Sequence, residues 1–130
     1  MAKLTYACVL TRNIDRLAAF YREVLGVDPQ WNGPFAEFAT QPGIFSLWAL
    51  DAYAEIAGAA AQPELGTGGI MLEFEVDDVD AEFARLQQLS QFQLEFIIPP
   101  TTMAWGNRSI YFRDLDGNLL NLFSRVTDNP

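Results

Sequence analysis

The stretch Asn13–Gly26, NIDRLAAFYREVLG, decides the fold. Asn13 offers a side-chain oxygen to the orphan amides of a first helical turn. Ile14, Leu17, Ala18, Tyr21, Val24 and Leu25 then recur at spacings of three and four, which predicts a helix with one apolar face. Gly26 stands where a left-handed residue ends such a helix. Upstream, the apolar run Leu4–Leu10 reads as a strand. Downstream, Pro29–Trp31, Phe35–Thr40 and Ile44–Leu50 read as three more, separated by the Asn32-Gly33-Pro34 and Pro42-Gly43 breaks.

The second half repeats this plan. Ile70–Val76 alternates Leu72, Phe74 and Val76 as a strand does. Asp78 caps a predicted helix with the stripe Val79, Phe83 and Leu86, and Asp80 and Glu82 occupy the first turn, where the helix dipole favours anions. Phe92–Ile98, Arg108–Arg113 and Leu119–Ser124 follow as strands, the last two joined as a hairpin through Asp116-Gly117-Asn118. Asp114-Leu115-Asp116-Gly117 lacks the further ligands of a calcium loop and reads as a turn.

The expected fold is therefore α+β, with two βαβββ modules forming curved mixed sheets around a cavity. It makes one domain over residues 1–130: module one at 1–50, a linker at 51–69 and module two at 70–126. The linker has a helical turn at Ala52–Ala57 and the run Gly66-Thr67-Gly68-Gly69. No Lys-Ser/Thr pair follows that run, so it is not a phosphate loop.

Composition removes whole chemistries. The 130 residues include no histidine, so neither a Ser-His-Asp or Cys-His nucleophile nor a His-ligated metal can be built. A net charge of -9 opposes binding to a phosphate backbone and would accept a cationic small molecule, although acidity also serves plain solubility. The single Cys8 excludes an internal disulfide, is expected to be packed, and suits a reducing compartment. No apolar run approaches a membrane span, and the N-terminal run is too short for a signal peptide. A cytoplasmic protein, with no nucleic acid or membrane partner, is expected.

Three separated motifs resemble the vicinal oxygen chelate superfamily, which holds glyoxalase I, extradiol dioxygenases and bleomycin-resistance proteins. They are Asn13–Gly26, the strand-to-helix junction Phe74–Asp80, and Trp105-Gly106-Asn107-Arg108 followed by Tyr111–Leu119. The resemblance implies paired βαβββ modules and a homodimer with cavities near the subunit interface. It also implies where metal-dependent relatives keep their His and Glu ligands: at Tyr6, Met71 and Asn121, and near Ser46 with a register open by one residue. Phenol, thioether, amide and hydroxyl do not form a catalytic divalent site. Neither a metal nor another cofactor is therefore expected. The Gly43-Ile44 turn leading to Trp48, and Trp105-Gly106, liken the chain most to the metal-free antibiotic-binding branch.

Alternation from those positions brings Cys8 and Leu10 beside Tyr6, and Trp48 beside Ser46. It brings Glu73 beside Met71, and Leu119 and Phe123 beside Asn121. The expected ligand-binding set is thus Tyr6, Cys8, Ser46, Trp48, Met71, Glu73, Trp105, Asn121 and Phe123, with a hydrophobic or aromatic small molecule as partner. Phe45 is read as core and Trp48 as inward; Trp31 covers an edge, and Met71 serves equally as core filler. Asn121 needs a ligand, a water or Tyr6 as partner. Glu73, the only carboxylate that alternation puts near the centre, would anchor an amine, serve as a general base, or lie in water or pair with Arg108. Three functions compete: a sequestering binding protein, a metal-free lyase or isomerase using Glu73, and a structural dimer whose cavity has collapsed.

Overall fold

The computed structural model describes residues 5–57 and 70–126 together with Met1; the glycine run Gly66–Gly69 and the start of the first strand at Leu4 lie outside them. The chain divides into two compact units, Met1–Leu65 and Gly66–Pro130. Each is built on its own four-stranded mixed sheet, the two similar modules of an α+β fold.

In the first unit, β1 (Tyr6–Thr11), α1 (Ile14–Leu25), β2 (Gln30–Asn32), β3 (Phe35–Ala39), β4 (Ile44–Ala49) and α2 (Leu50–Ala57) follow one another. The sheet order is β1-β4-β3-β2, with β1 parallel to β4 and the other pairs antiparallel. The ends of α1 are fixed as its sequence predicts. Asn13 Oδ1 accepts from the Arg16 amide at 3.1 Å, and Gly26, at φ 69°, donates its amide to the Arg22 carbonyl at 2.9 Å. Leu17, Ala18, Phe20, Tyr21 and Val24 are buried on the sheet side, as are Ala36, Phe38, Phe45 and Leu47. Tyr21 joins the layers, its ring centroid 4.6 Å from Phe45 and 6.3 Å from Phe38. Phe20 extends the predicted stripe because it stands three residues after Leu17 and four before Val24.

Two expectations change here. The turn expected at Ala52–Ala57 is an eight-residue helix, Leu50–Ala57, packed against β4 and β1. Cys8, expected to be packed, is exposed, because β1 is the edge of its sheet and takes cover from one neighbour only.

The second unit repeats the order with β5 (Met71–Glu75), α3 (Val79–Gln87), β6 (Phe96–Thr102), β7 (Asn107–Arg113) and β8 (Leu119–Arg125). Its sheet runs β5-β8-β7-β6, with β5 parallel to β8. Asp78 caps α3 by accepting from the Ala81 amide at 3.1 Å. Val79 and Leu86 are buried, as are Ile110, Phe112, Leu120 and Leu122. Phe83 meets Phe96 at 4.8 Å, and Phe96 meets Phe112 at 5.5 Å.

The strand expected at Phe92–Ile98 is displaced. Ser90–Phe92 forms a 3-10 turn, and β6 starts at Phe96 and runs through Pro99-Pro100 to Thr102. Proline lacks the amide a central ladder needs, but β6 is an edge strand, and its pairing with β7 slips twice between Phe96 and Thr101. The closing hairpin turns on Asp114, whose carboxylate accepts from the Asp116 and Asn118 amides at 2.9 and 2.8 Å and from Asn118 Nδ2 at 2.8 Å. The segment is a side-chain-locked turn with Gly117 at φ 91°.

Candidate functional site

Each sheet gives one face to its helix and turns the alternate side chains the other way. On the first sheet Phe45 and Leu47 lie in the core, so Ser46 and Trp48 point to the opposite face. The register adds their neighbours: Cys8 lies opposite Ser46 from β1 and Glu37 from β3, while Leu10 and Phe35 lie opposite Trp48. Trp48 is held edge-on between Phe35, at 6.1 Å, and Tyr53 of α2, at 5.4 Å. Tyr6 lies further along β1, opposite Ile44, and is 47% exposed.

On the second sheet Leu120 and Leu122 face the core, so Asn121 and Phe123 face away. Glu73 lies directly opposite Asn121 from β5, and Tyr111 from β7; Ser109 lies opposite Phe123. Met71 is opposite Leu119 and 37% exposed. Asn121 Nδ2 donates to Glu73 Oε1 at 2.9 Å. Asn121 Oδ1 and Ser109 Oγ are buried without a hydrogen-bond partner. Such groups cost on the order of 1–3 kcal/mol each unless water or a ligand reaches them.

The two registers are equivalent. Ser46 occupies in β4 the place that Asn121 occupies in β8, and Cys8 stands to Ser46 as Glu73 stands to Asn121. Tyr6 and Met71 correspond in the same way. Within the two modules Ser46 is thus the counterpart of Asn121.

Several sequence expectations are corrected. Glu73 does not pair with Arg108: Arg108 belongs to the helix side and binds Asp80 of α3 through Nε–H···Oδ2 at 2.8 Å and an Nη2 donor to Oδ1 at 3.0 Å. The partner of Asn121 is Glu73. Trp105 sits in the β6–β7 turn and is 68% exposed. Glu73 is not the only carboxylate on these faces, because Glu37 lies beside Ser46. Sequence reading missed Glu37, Ser109 and Tyr111, although alternation along Phe35–Thr40 and Arg108–Arg113 carried the signal. What it lacked was the register that sets those strands beside Ser46 and Asn121.

Cys8 is exposed as a residue, but partial enclosure of its thiol pushes the pKa up, and the Ser46 hydroxyl across the ladder pulls only partly the other way. A raised pKa leaves little thiolate at neutral pH.

The residues at the four family ligand positions do not fit a divalent ion. Tyr6, Ser46, Met71 and Asn121 bring no carboxylate and no imidazole, and the Asn121 amide nitrogen is already engaged by Glu73. Among the described residues no group of three His, Cys, Asp or Glu side chains comes together as a metal site. A separate groove of about 390 Å³ opens on the helix side of the first sheet, where Asp15, Ala19 and Trp31 flank the Arg22–Asp28 ion pair. Its charged side chains are solvent-facing, whereas the unpartnered buried polar atoms Asn121 Oδ1 and Ser109 Oγ lie on the open face of the second sheet.

Two modules of this repeated strand and helix order, each on its own four-stranded mixed sheet, define a class of two-module α+β proteins. The profile of the Glyoxalase/Bleomycin resistance protein/Dioxygenase superfamily matches residues 3–122, and the chain belongs to that superfamily. Solved structures agree in fold. A glyoxalase/bleomycin resistance protein/dioxygenase from Nocardioides is 25% identical, with a TM-score of 0.79 over 99% of this chain and 87% of that one. A protein of unknown function from Agrobacterium tumefaciens is 27% identical, with a TM-score of 0.80 over 97% and 96%. A family enzyme from Burkholderia phytofirmans, 22% identical with a TM-score of 0.80 over 96% and 100%, shares the fold. No curated protein matches the chain.

Proposed function

We propose that this protein is a metal-independent small-molecule binding protein of the bleomycin-resistance type, which sequesters a hydrophobic or aromatic ligand in a cavity of a homodimer. One observation carries the reading. The resemblance puts the family's ligand positions at Tyr6, Ser46, Met71 and Asn121, and the open sheet faces that carry them bear, besides the carboxylates Glu37 and Glu73, the rings of Trp48, Phe35, Tyr111 and Phe123. Flat rings give large contact area to a conjugated ligand at low entropic cost. The lone thiol of Cys8 supports a reducing, cytoplasmic setting.

A second reading, a lyase or isomerase working without metal, is favoured by Glu73, which is exposed on the same face and engages only one carboxylate oxygen in its bond to Asn121. Neighbouring structures described as family enzymes are compatible with it.

Fluorescence titration decides between them. With Trp31→Phe and Trp105→Phe in place, Trp48 is the only indole, and a panel of planar aromatic compounds should shift or quench its emission saturably. Prior dialysis against a chelator should change neither affinity nor melting temperature. Absence of binding across the panel would refute sequestration, and turnover of any compound, lost in Glu73→Gln, would replace it with the enzyme reading.

A further inference from the structure

We propose that Glu73, Asn121 and Ser109 form a recognition site for a primary ammonium group, so that the ligand is an amine carried on an apolar or aromatic body. This inference rests on the small-molecule reading above and names the chemistry of the ligand.

The polar groups are arranged as acceptors. Asn121 spends its nitrogen on Glu73 Oε1, which fixes the orientation of the amide: a flipped side chain would set two oxygens against each other. Its Oδ1 is thereby directed away from Glu73, buried and without a partner, in a residue only 4% exposed. Ser109 Oγ, buried in a residue 1% exposed, is likewise unpartnered on the same face. Glu73 supplies the negative charge, and among the described residues no arginine pairs with it: Arg108 is held by Asp80 and Arg125 by Glu75. A primary ammonium has three N–H donors and no acceptor, which complements the orphan Asn121 oxygen next to the Glu73 carboxylate, with Ser109 Oγ on the neighbouring strand of the same face.

The surroundings favour a cation with an apolar body over a hydrated metal ion. Tyr111 lies across the ladder from Asn121, and Phe123 is the next residue of β8 on that face, so two rings flank the acceptors. Ring faces attract an ammonium and exclude water from it. The equivalent place in the first sheet sets Ser46, whose Oγ is also buried and unpartnered, between Cys8 and Glu37; what distinguishes the second unit is a carboxylate, Glu73, hydrogen-bonded to the amide that carries the orphan oxygen.

The test compares benzylamine with benzyl alcohol, which has nearly the same shape and no charge, by calorimetry at neutral pH. The wild-type chain should bind the amine at least tenfold more tightly than the alcohol. Glu73→Gln keeps an acceptor for Asn121 and should bring the ratio close to one by weakening the amine far more than the alcohol. Asn121→Leu, checked for an unchanged circular dichroism spectrum, should weaken the amine several-fold more than the alcohol. Equal binding of both compounds to the wild type would overturn the ammonium site and leave sequestration standing. A preference that survives Glu73→Gln would do the same. Binding of neither compound would overturn the ammonium site, and only failure of the wider aromatic panel would also remove the reading on which it rests.

Discussion

Cys8 shows how far one residue's chemistry depends on where its strand lies. As a thiol within an apolar run it reads as core, yet it is exposed on an edge strand. Exposure alone would suggest a reactive nucleophile. Partial enclosure of the sulfur, however, raises its pKa, and the thiolate is the reacting species. Alkylation by iodoacetamide at pH 7 should therefore be several-fold slower than that of free cysteine. The rate should climb only as the pH passes the ordinary thiol range. A rate equal to that of free cysteine would show the thiol to be unperturbed. Ser46→Ala should slow the reaction further, because Ser46 is the group that opposes the upward shift.

At the scale of elements, sequence is most informative where a local rule closes on itself. The helix α1 is legible end to end because cap, periodicity and terminal glycine all act within one segment. The strand β6 is not, since whether Pro99 and Pro100 are tolerated depends on β6 being an edge, which is a property of the sheet. The attachment of α3 to its sheet is also hidden. Arg108 of β7 reaches Asp80 in the first turn of α3, an ion pair between residues 28 apart in sequence. Arg108 holds the Asp80 carboxylate below the usual range, chiefly through the hydrogen bond. A depressed carboxylate contributes stability that is complete above its unfolded pKa, about 4, and lost as pH falls through the lower folded value. Asp80→Asn should thus be modestly less stable than wild type in urea at pH 7. The difference should shrink in high salt and vanish in strong acid, since the pair is solvent-exposed. A difference that persists in acid would assign the effect to packing instead.

For the molecule as a whole, the two units repeat one topology with one register, which makes Ser46 of β4 the counterpart of Asn121 of β8. Homodimer formation, proposed with the function, has a direct check. Sedimentation equilibrium at micromolar concentration should return about twice the 14.5 kDa chain mass, and a mass of one chain at all concentrations would reject it. Much of the candidate site is legible in the sequence: period-two alternation sets Tyr6 with Cys8, Ser46 with Trp48, and Asn121 with Phe123. The exposure of Trp105 in the β6–β7 turn is not legible in the sequence, because a motif position says nothing about whether a turn side chain folds onto the sheet or away from it.

Sequence alone determined the local elements and the duplicated plan, because capping, turn chemistry and hydrophobic period act between residues a few positions apart. It also determined one exclusion, since a chain without histidine offers no imidazole donor in any conformation. Only the tertiary structure decided the partners. Glu73 and Asn121 are 48 residues apart, and their hydrogen bond exists because β5 lies parallel to β8 in one particular register. The same long-range pairing put Glu37 beside Ser46, sent Arg108 to the helix side, and left Asn121 Oδ1 and Ser109 Oγ buried without partners. Register between strands as far apart in sequence as β5 and β8 is set by the packing of the whole sheet, with no connecting turn to specify it.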